Sequence, residues 1–443
     1  MHTAVVGAGP TGLYTGIALA RRGHAVTILE RDPGPNADGS WNRRGVMQFH
    51  HPHGYRPQVV EALLAEMPDV WDDLIAAGAE PVTPPDQPGR VVGVRCRRLI
   101  FERILRSAAE AQPGLTLRIG HVDDVCCERG RAVGVRVDGH RVQADLVIDA
   151  SGRADLLART FRAPAEGGDC GIAYVSRQYQ LLPGAEKGPT NVQIGSVAIY
   201  PGYQAIVFIH DNRTFSTLIA RASTDRQLIA LRFSEAFEAA SRAIPSLAAW
   251  TEPDRSRPIS PVLPGGRLHN TYRTQLDEAG QVAVHGLIFA GDAVCTTNPA
   301  VGRGIATSLM QAQRLVALLD EYQRDFTSCS LEFDRWCAVN IKPWFSDHAY
   351  WDAELIRRWS GHDVDLTRPL PSDLIMAATE VDPEMLRIVG PYMAMRTLPA
   401  SLAAVEPRAR EIYASGWRPP VPEGPTRDEL AELVTKMARS ASG

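Results

Sequence analysis

The first thirty residues alternate apolar runs and turns in a pattern that predicts a strand, a helix and a second strand. Thr3–Val6 is a short apolar run, a glycine-rich turn follows, and Leu13–Arg22 has helical spacing. Ala25–Leu29 is a second apolar run that ends at Glu30. This order indicates a βαβ unit with two parallel strands.

Further along the chain the spacing of apolar residues changes from that of helices to that of strands. Residues 57–79 and Arg98–Ala111 have helical spacing, with the proline-rich loop Pro81–Pro88 between them. Short β-like runs from Leu115 to Val147 predict a small meander followed by a buried strand. Residues 170–222 alternate again and predict a second, mostly β lobe.

The second half of the chain contains mainly helical patterns. Ser234–Ala249 and Ile305–Tyr322 are predicted helices, and Gly286–Ala290 is a predicted buried strand. After about residue 330 the pattern is mainly helical and ends in a charged helix, Arg427–Ala441. A chain of 443 residues is long for a single compact core. We therefore expect two lobes that share a cleft, with helices added at the C-terminus.

Composition narrows the classes of function. A net charge of -4 lacks the basic excess of a nucleic-acid binder, so no nucleic-acid partner is expected. The apolar stretch Ala4–Ala20 has no basic start and contains glycines, and no window offers the roughly 18 apolar residues of a membrane helix. We expect a cytoplasmic protein without membrane contact. Its seven scattered cysteines are expected to be mostly buried thiols.

The turn after the first strand is a dinucleotide-binding motif. Gly7-Ala8-Gly9-Pro10-Thr11-Gly12 fits G-x-G-x-x-G between a strand and a helix, where backbone amides bind a diphosphate. In this motif Gly7 allows the turn, Gly9 admits the phosphate and Gly12 allows close helix packing. Glu30, with its neighbour Arg31, follows at the distance of a ribose-binding acid. The alternative is an ordinary glycine turn.

A second motif lies near position 290. Gly291-Asp292 is followed by Pro299, Gly302-Arg303-Gly304 and a helix start at Ile305. Here the chain resembles the FAD-dependent monooxygenases of the aromatic-hydroxylase-like group (group A). The resemblance implies that Asp292 binds the ribityl chain of FAD and that Pro299–Ile305 surrounds the pyrimidine edge of the flavin. A helix N-terminus stabilises negative charge on that edge.

The resemblance also implies the fold class and the domains. We expect an α/β protein whose Rossmann-like FAD-binding domain, of the glutathione-reductase or aromatic-hydroxylase type, is built from residues 1–80, 90–165 and 280–325. A mostly β substrate domain is inserted at 166–279, and 326–443 form a helical C-terminal region. Further FAD contacts are expected at Arg44, at Arg98 and at position 123; solvated surface charges are the alternative for the arginines.

Two departures from the family pattern concern the flavin surroundings. In the segment Asp149–Asp155, Ser151 stands where hydroxylases that use NAD(P)H directly have an aspartate. The electron source is therefore either NAD(P)H or a separate flavin reductase. Cys295 and Arg303 stand where histidine and glutamine are common, which changes the polarity near the flavin.

No protein group stands out as a catalyst, since the cofactor performs most of the chemistry in such enzymes. Candidates are His53, in the cluster His50-His51-Pro52-His53, and Tyr174, Tyr203 and His210 in the β lobe. The histidine cluster lacks a matching ligand set, so no metal site is expected. For each aromatic residue the alternative is core packing.

The resemblance implies a monooxygenase of secondary metabolism that uses O2 and a flavin C4a-(hydro)peroxide to hydroxylate or epoxidise an apolar, aromatic or unsaturated small molecule. An FAD-dependent oxidase, dehydrogenase or reductase that transfers hydride is the main alternative, and a flavin-binding protein without turnover is another. A flavin halogenase is disfavoured because W-x-W-x-I-P is absent and only Lys187, Lys342 and Lys436 could supply its lysine.

Overall fold

The computed structural model describes residues 1–84, 87–154 and 161–440. The middle of the predicted loop Pro81–Pro88 and the end of the segment Asp149–Asp155 lie outside the described residues, as does Ala441 of the predicted last helix.

The strands, in chain order, are β1 (His2–Val6), β2 (Ala25–Glu30), β3 (Glu80–Val82), β4 (Gly93–Arg95), β5 (Leu115–Ile119), β6 (Val122–Glu128), β7 (Arg131–Val137), β8 (His140–Gln143), β9 (Leu146–Asp149), β10 (Glu166–Asp169), β11 (Ile172–Leu181), β12 (Gly195–Tyr200), β13 (Tyr203–Ile209), β14 (Thr214–Ala222), β15 (Ser256–Pro258), β16 (Leu263–Gly265), β17 (His269–Tyr272), β18 (Leu287–Phe289) and β19 (Cys295–Thr296).

The α-helices, in chain order, are α1 (Pro10–Arg21), α2 (Pro57–Glu66), α3 (Pro68–Ala76), α4 (Arg98–Ala111), α5 (Ser234–Ala243), α6 (Pro245–Thr251), α7 (Gly304–Tyr322), α8 (Phe326–Asn340), α9 (Lys342–Trp359), α10 (Ser372–Ala377), α11 (Leu386–Met393), α12 (Glu406–Ala414) and α13 (Arg427–Ser440). Two of the predicted helices are each divided at a proline, Pro68 and Pro245, because proline lacks the amide proton and clashes with the preceding turn.

A five-stranded parallel sheet with the order β18-β9-β1-β2-β5 forms the centre of the first lobe. β1 and β9 are almost wholly buried and mainly apolar, as expected for parallel strands covered on both faces. The predicted βαβ opening and the Rossmann-like α/β architecture are confirmed. The predicted meander is wrong in one part, because β5 pairs in parallel with β2 and only β6, β7 and β8 form the antiparallel meander.

The second lobe is built on an antiparallel sheet with the order β12-β13-β14-β11-β15, with β16 also paired to β11. One face of this sheet is covered by α5, α6 and α13 around a buried apolar cluster that includes Tyr179, Phe215 and Trp250. The other face carries a second apolar cluster, with Tyr174 and Phe208, that packs against Met47 of the first lobe. The predicted β lobe is confirmed.

The helical C-terminal region divides between the two lobes. Side chains from α8 to α12 extend the core of the first lobe, among them Phe333, Trp344 and Tyr413. The last helix, α13, instead packs on α5 of the β lobe, because Leu430 and Val434 form an apolar face with no exposed surface. Among the helices of the described residues, none combines the length and apolarity needed to cross a bilayer.

We predict that α13 is an integral part of the β lobe. Leu430→Ala should lower the free energy of unfolding by about 2–5 kcal/mol, because it removes a fully buried side chain from the cluster on α5. Denaturant unfolding, followed by tryptophan fluorescence, measures the change. The exposed residue Glu432 on the same helix supplies the control, since Glu432→Ala should change stability by less than about 0.5 kcal/mol. Equal stability of the two variants would contradict the assignment.

Candidate cofactor and active site

A cavity of about 580 Å³ lies at the carboxyl edge of the parallel sheet. Residues at or just beyond the ends of all five strands line it: Gly7, Arg31, Gly120, Ala150 and Asp292. Ligands of open α/β sheets bind at this edge, because the loops that follow the strands converge there. The volume lies within the range of roughly 300–1,000 Å³ that is typical of small-molecule sites.

The glycine turn brings the N-terminus of α1 to the cavity. Gly7 has a φ of +101°, and a Cβ on Gly12 would lie 1.9 Å from the carbonyl oxygen of Gly7, so only glycine fits there. Gly9, Pro10 and Thr11 line the cavity with Gly7, whereas Gly12 packs behind them. No side chain caps α1 and no acidic residue lies in its first turn, so its positive end faces the cavity.

The acid at the end of β2 lies in a buried ion network. The carboxylate of Glu30 lines the cavity and accepts hydrogen bonds from the Ala8 amide at 2.8 Å and from the Arg43 guanidinium. Arg43 also binds Glu102 and is 4% exposed, whereas Arg44, the predicted FAD contact, is exposed and outside the cavity. The structure places Arg43 rather than Arg44 in the cavity wall, and sequence alone does not show which of the two side chains turns inward.

The second motif forms the opposite wall. Asp292, Pro299, Gly302, Gly304 and Ile305 line the cavity, and Gly304 begins α7 without a side-chain cap. Gly291 stays behind the wall with a φ of +69°, where a Cβ would lie 2.5 Å from the Thr11 hydroxyl.

The carboxylate of Asp292 has the properties of a ligand-binding group. Burial raises its pKa, and Arg153 and Arg98 oppose that rise. Among the described residues, no backbone amide or side chain donates a hydrogen bond to this carboxylate. A ligand hydroxyl in the cavity would satisfy it, because a carboxylate has several acceptor sites.

Arg303, also a predicted FAD contact, has its side chain elsewhere. It is 2% exposed, forms an ion pair with Asp347 at 2.6 Å and donates to the hydroxyl of Tyr392 at 2.5 Å. The ring of Trp344 lies 4.8 Å from its guanidinium carbon. The side chain of Arg303 therefore points toward the C-terminal helices and not into the cavity. The motif alone did not reveal these partners, because they lie far along the chain.

Arg98 and His53 meet in the cavity wall. Arg98 binds Glu102, and its guanidinium lies 3.3 Å from Nε2 of His53. Nδ1 of His53 lies 2.9 Å from the carbonyl oxygen of His51, which fits an Nδ1–H donor and an Nε2 acceptor. Burial lowers the pKa of His53 well below its ordinary value. The lowered pKa favours the neutral imidazole, whose Nε2 can accept a hydrogen bond from the guanidinium of Arg98.

The three other catalytic candidates do not line the cavity. Tyr203 lies on the distant face of the β sheet, stacks on Tyr200 and donates to the carbonyl oxygen of Pro425 at 2.6 Å. His210 is 1% exposed and bonded to Ser216 at 2.8 Å. Tyr174 is buried in the cluster that faces the first lobe. Strand spacing located all three in or beside the sheet but did not show which side chains face the cavity.

Several cavity residues were not predicted. They come from segments whose approach depends on tertiary packing, namely Gly120, His121, Gly266, Arg267, His269, Thr296 and Thr297. At position 123 the side chain is exposed Asp123, whereas its neighbour Val122 lines the cavity. In the part of the chain that the structure describes, no three His, Cys, Asp or Glu side chains converge as a metal site requires.

Comparison with family profiles identifies two consecutive matches. Residues 2–95 match the FAD dependent oxidoreductase profile, and residues 95–167 match the tryptophan halogenase profile. Protein Rv3254 of Mycobacterium tuberculosis is 25% identical over 86% of this chain and 87% of its own. A kynurenine 3-monooxygenase of Salinispora arenicola is 31% identical over 48% of this chain and 49% of its own, so this second similarity spans about half of each protein.

Solved structures share the fold along most of the chain. The flavin-dependent brominase Bmp2 covers 94% of this chain and 100% of its own, with a TM-score of 0.65 and 15% identity. PqsL of Pseudomonas aeruginosa, a probable FAD-dependent monooxygenase, covers 82% and 99%, with a TM-score of 0.57 and 16% identity. These similarities support an FAD-dependent oxidoreductase, as the sequence predicted, and its fold is shared with flavin-dependent monooxygenases and halogenases.

Proposed function

We propose that this protein is a monooxygenase that transfers one oxygen atom from O2 to an apolar, aromatic or unsaturated small molecule. The observation that carries the proposal is the position of the cavity between two uncapped helix N-termini and Met47, which packs against the apolar cluster of the β lobe. The similarity to a kynurenine 3-monooxygenase and to PqsL supports the same reaction class. We infer a role in secondary metabolism from the family resemblance alone.

The residues of the cavity fit FAD. A diphosphate suits the amides at Gly9–Thr11, where a Cβ on Gly9 would have no atom within 4 Å. The ribose hydroxyls suit Glu30, and the ribityl hydroxyls suit Asp292. The pyrimidine edge suits the N-terminus of α7, where Gly304 leaves open space. We propose these contacts together with others from Gly7, Pro10, Arg31, Arg43, Arg98, Val122, Pro299, Gly302 and Ile305.

FAD, once reduced, supplies the activation of O2 and the transfer of the oxygen atom. The protein supplies an environment that excludes water. Met47 lines the cavity and also packs against the apolar cluster on the β lobe that contains Phe208 and Leu218. An apolar substrate suits the boundary between the cavity and this cluster, because its burial there replaces contact with water. Neutral His53 keeps Arg98 oriented toward the cofactor.

The electron donor is either NAD(P)H or a reductase that delivers reduced flavin. Ser151 lines the cavity where NAD(P)H-dependent hydroxylases have an aspartate, which favours a separate reductase. The donor provides two electrons, so that one oxygen atom enters the product and the other leaves as water.

Flavin-dependent halogenation is the second candidate, because residues 95–167 match the tryptophan halogenase profile. The family resemblance implies that such enzymes use a catalytic lysine in the active-site cavity. None of the three lysines of this chain lines the cavity: Lys187 binds Glu80, Lys342 binds Glu166, and Lys436 is on the exposed side of α13. The lining of the cavity therefore favours oxygen transfer to the substrate itself.

The central prediction is that the purified protein binds FAD and incorporates oxygen from O2 into a substrate. The protein with FAD, NADPH and a flavin reductase should convert members of an aromatic compound panel into products that carry one 18O atom under 18O2, detected by mass spectrometry. The same assay with bromide tests halogenation. Turnover without 18O in the product would identify an oxidase or dehydrogenase, and brominated products would identify a halogenase.

FAD binding should depend on the carboxylate of Asp292. Asp292→Asn should weaken FAD binding roughly tenfold, because the amide loses an acceptor for a ribityl hydroxyl while the shape of the side chain is kept. Quenching of flavin fluorescence on titration measures the affinity. Asp254→Asn, at an exposed site of the β lobe outside the cavity, is the control and should leave the affinity unchanged. Equal affinities of the two variants would contradict the proposed contact.

The low pKa of His53 gives a pH dependence of stability. The unfolded state binds a proton at this imidazole near pH 6.5, whereas the folded state does not. The stability of the wild type should therefore fall as the pH decreases below about 6.5. His53→Gln keeps the donor and acceptor but cannot be protonated, so its melting temperature should fall less between pH 7.5 and 5.5. A parallel fall in both proteins would show that His53 is already protonated in the folded state.

A further inference from the structure

Two walls of the cavity are joined behind the surface by three buried polar side chains. Arg267 and His269 line one wall, and the next residue, Asn270, is 3% exposed. Thr297 and Pro299 line the other wall, and the residue between them, Asn298, is 1% exposed. In both walls the asparagine points away from the cavity. Asp352, on α9, is 3% exposed and accepts hydrogen bonds from both asparagine side chains.

The contacts among these residues form a closed network. Nδ2 of Asn270 donates to Oδ2 of Asp352 at 2.7 Å, and Nδ2 of Asn298 donates to Oδ1 at 3.0 Å. The backbone amide of Asn298 donates to Oδ1 of Asn270 at 2.7 Å. Oδ1 of Asn298 accepts a hydrogen bond from the backbone amide of Ala300 at 3.1 Å. Asn298 thereby caps the short helical turn Pro299–Val301 that precedes α7. Each carboxylate oxygen of Asp352 therefore orients the side-chain amide of one asparagine.

We propose that Asp352 is a positioning residue of the flavin site, which fixes the loop 298–304 through Asn298 and holds it against the wall at Asn270. The proposal depends on FAD binding in the cavity and not on the fate of the oxygen. It assigns to α9, outside both dinucleotide motifs, a part of the cofactor site.

The network requires a carboxylate at position 352. Two amide donors converge on it, and only an ionised carboxyl group offers an acceptor oxygen to each of them. A neutral amide would direct its own N–H group at one of the asparagine N–H groups. The unmatched donor would release Asn298 and with it the turn at Ala300.

The charged groups around Asp352 leave it without a close cation. On α9, Nε2 of His348 lies 3.9 Å away, and the ring nitrogens of His348 have no hydrogen-bond partner. From neighbouring segments Arg303 favours the ionised form, Asp373 opposes it, and the buried thiol of Cys170 is near. Burial raises the pKa of Asp352 to about 7. Protonation near neutral pH would thus remove one acceptor from the network.

The test compares Asp352→Asn with Glu238→Gln in the full chain. Glu238 also accepts two hydrogen bonds, from Tyr179 at 2.6 Å and Arg177 at 2.7 Å, but on the distant face of the β sheet. Titration with FAD, followed by flavin fluorescence and the visible spectrum, should show roughly tenfold weaker binding and an altered bound spectrum for Asp352→Asn only. Equal FAD affinity and spectrum in both variants would overturn the proposal.

An exchange of the two groups separates positioning from general stability. In the double variant Asp352→Asn with Asn298→Asp, the carboxylate at 298 accepts from the amide at 352 and from Ala300, and the amide oxygen at 352 accepts from Asn270. FAD affinity and spectrum should return to within about threefold of the wild type. Failure of this rescue would overturn the proposal, as would recovery of Asp352→Asn only as unfolded protein.

The pH profile gives an independent readout. Between pH 8 and pH 6 the wild type should lose FAD affinity as Asp352 takes up a proton, whereas Asp352→Asn should have already lost this pH dependence. Identical pH profiles of the two proteins would contradict the role of the carboxylate. These measurements use FAD binding alone, so an absence of oxygen transfer would refute the proposed reaction without affecting this result.

Discussion

The close approach of α1 to the turn before it is the constraint on which the site depends. A Cβ on Gly12 would lie 1.9 Å from the Gly7 carbonyl oxygen, and a Cβ on Gly291 would lie 2.5 Å from the Thr11 hydroxyl. The absence of a Cβ at these two glycines lets the start of α1 lie against the end of β1 and against the second motif. The uncapped N-termini of α1 and α7 therefore open into the same cavity, which gives it two regions that favour negative charge.

A buried row of alternating charges supports the wall beside this turn. Glu30, Arg43, Glu102 and Arg98 form consecutive ion pairs, and Glu102 is fully buried. Two arginines balance two carboxylates, so the row adds no net charge. Removal of one member would leave a buried charge without its partner, which costs about 3–5 kcal/mol. The row thus fixes Glu30 and Arg98 in the cavity lining more firmly than surface ion pairs could.

The C-terminal helices belong to the site as well as to the core. Arg303 is held by Asp347 and Tyr392, and Asn298 is held by Asp352. Both ends of the loop 298–304 are therefore attached to this region. Arg56 adds a third attachment through the carbonyl oxygens of Val301 and Gly302. A loop with two glycines needs such support, because its own backbone allows many conformations.

The sequence by itself determined the βαβ opening, the β lobe, most helices, and the two motifs that face the cavity. Local patterns carry this information, because strand and helix periods and glycine spacing act over a few residues. It did not determine that Arg43 rather than Arg44 turns inward, that Arg303 turns away, or that Tyr203 faces α13. Only the tertiary structure decided these, and it alone brought Arg267, His269 and Asp352 to the site. Their positions depend on contacts between segments far apart in the chain, which leave no local pattern.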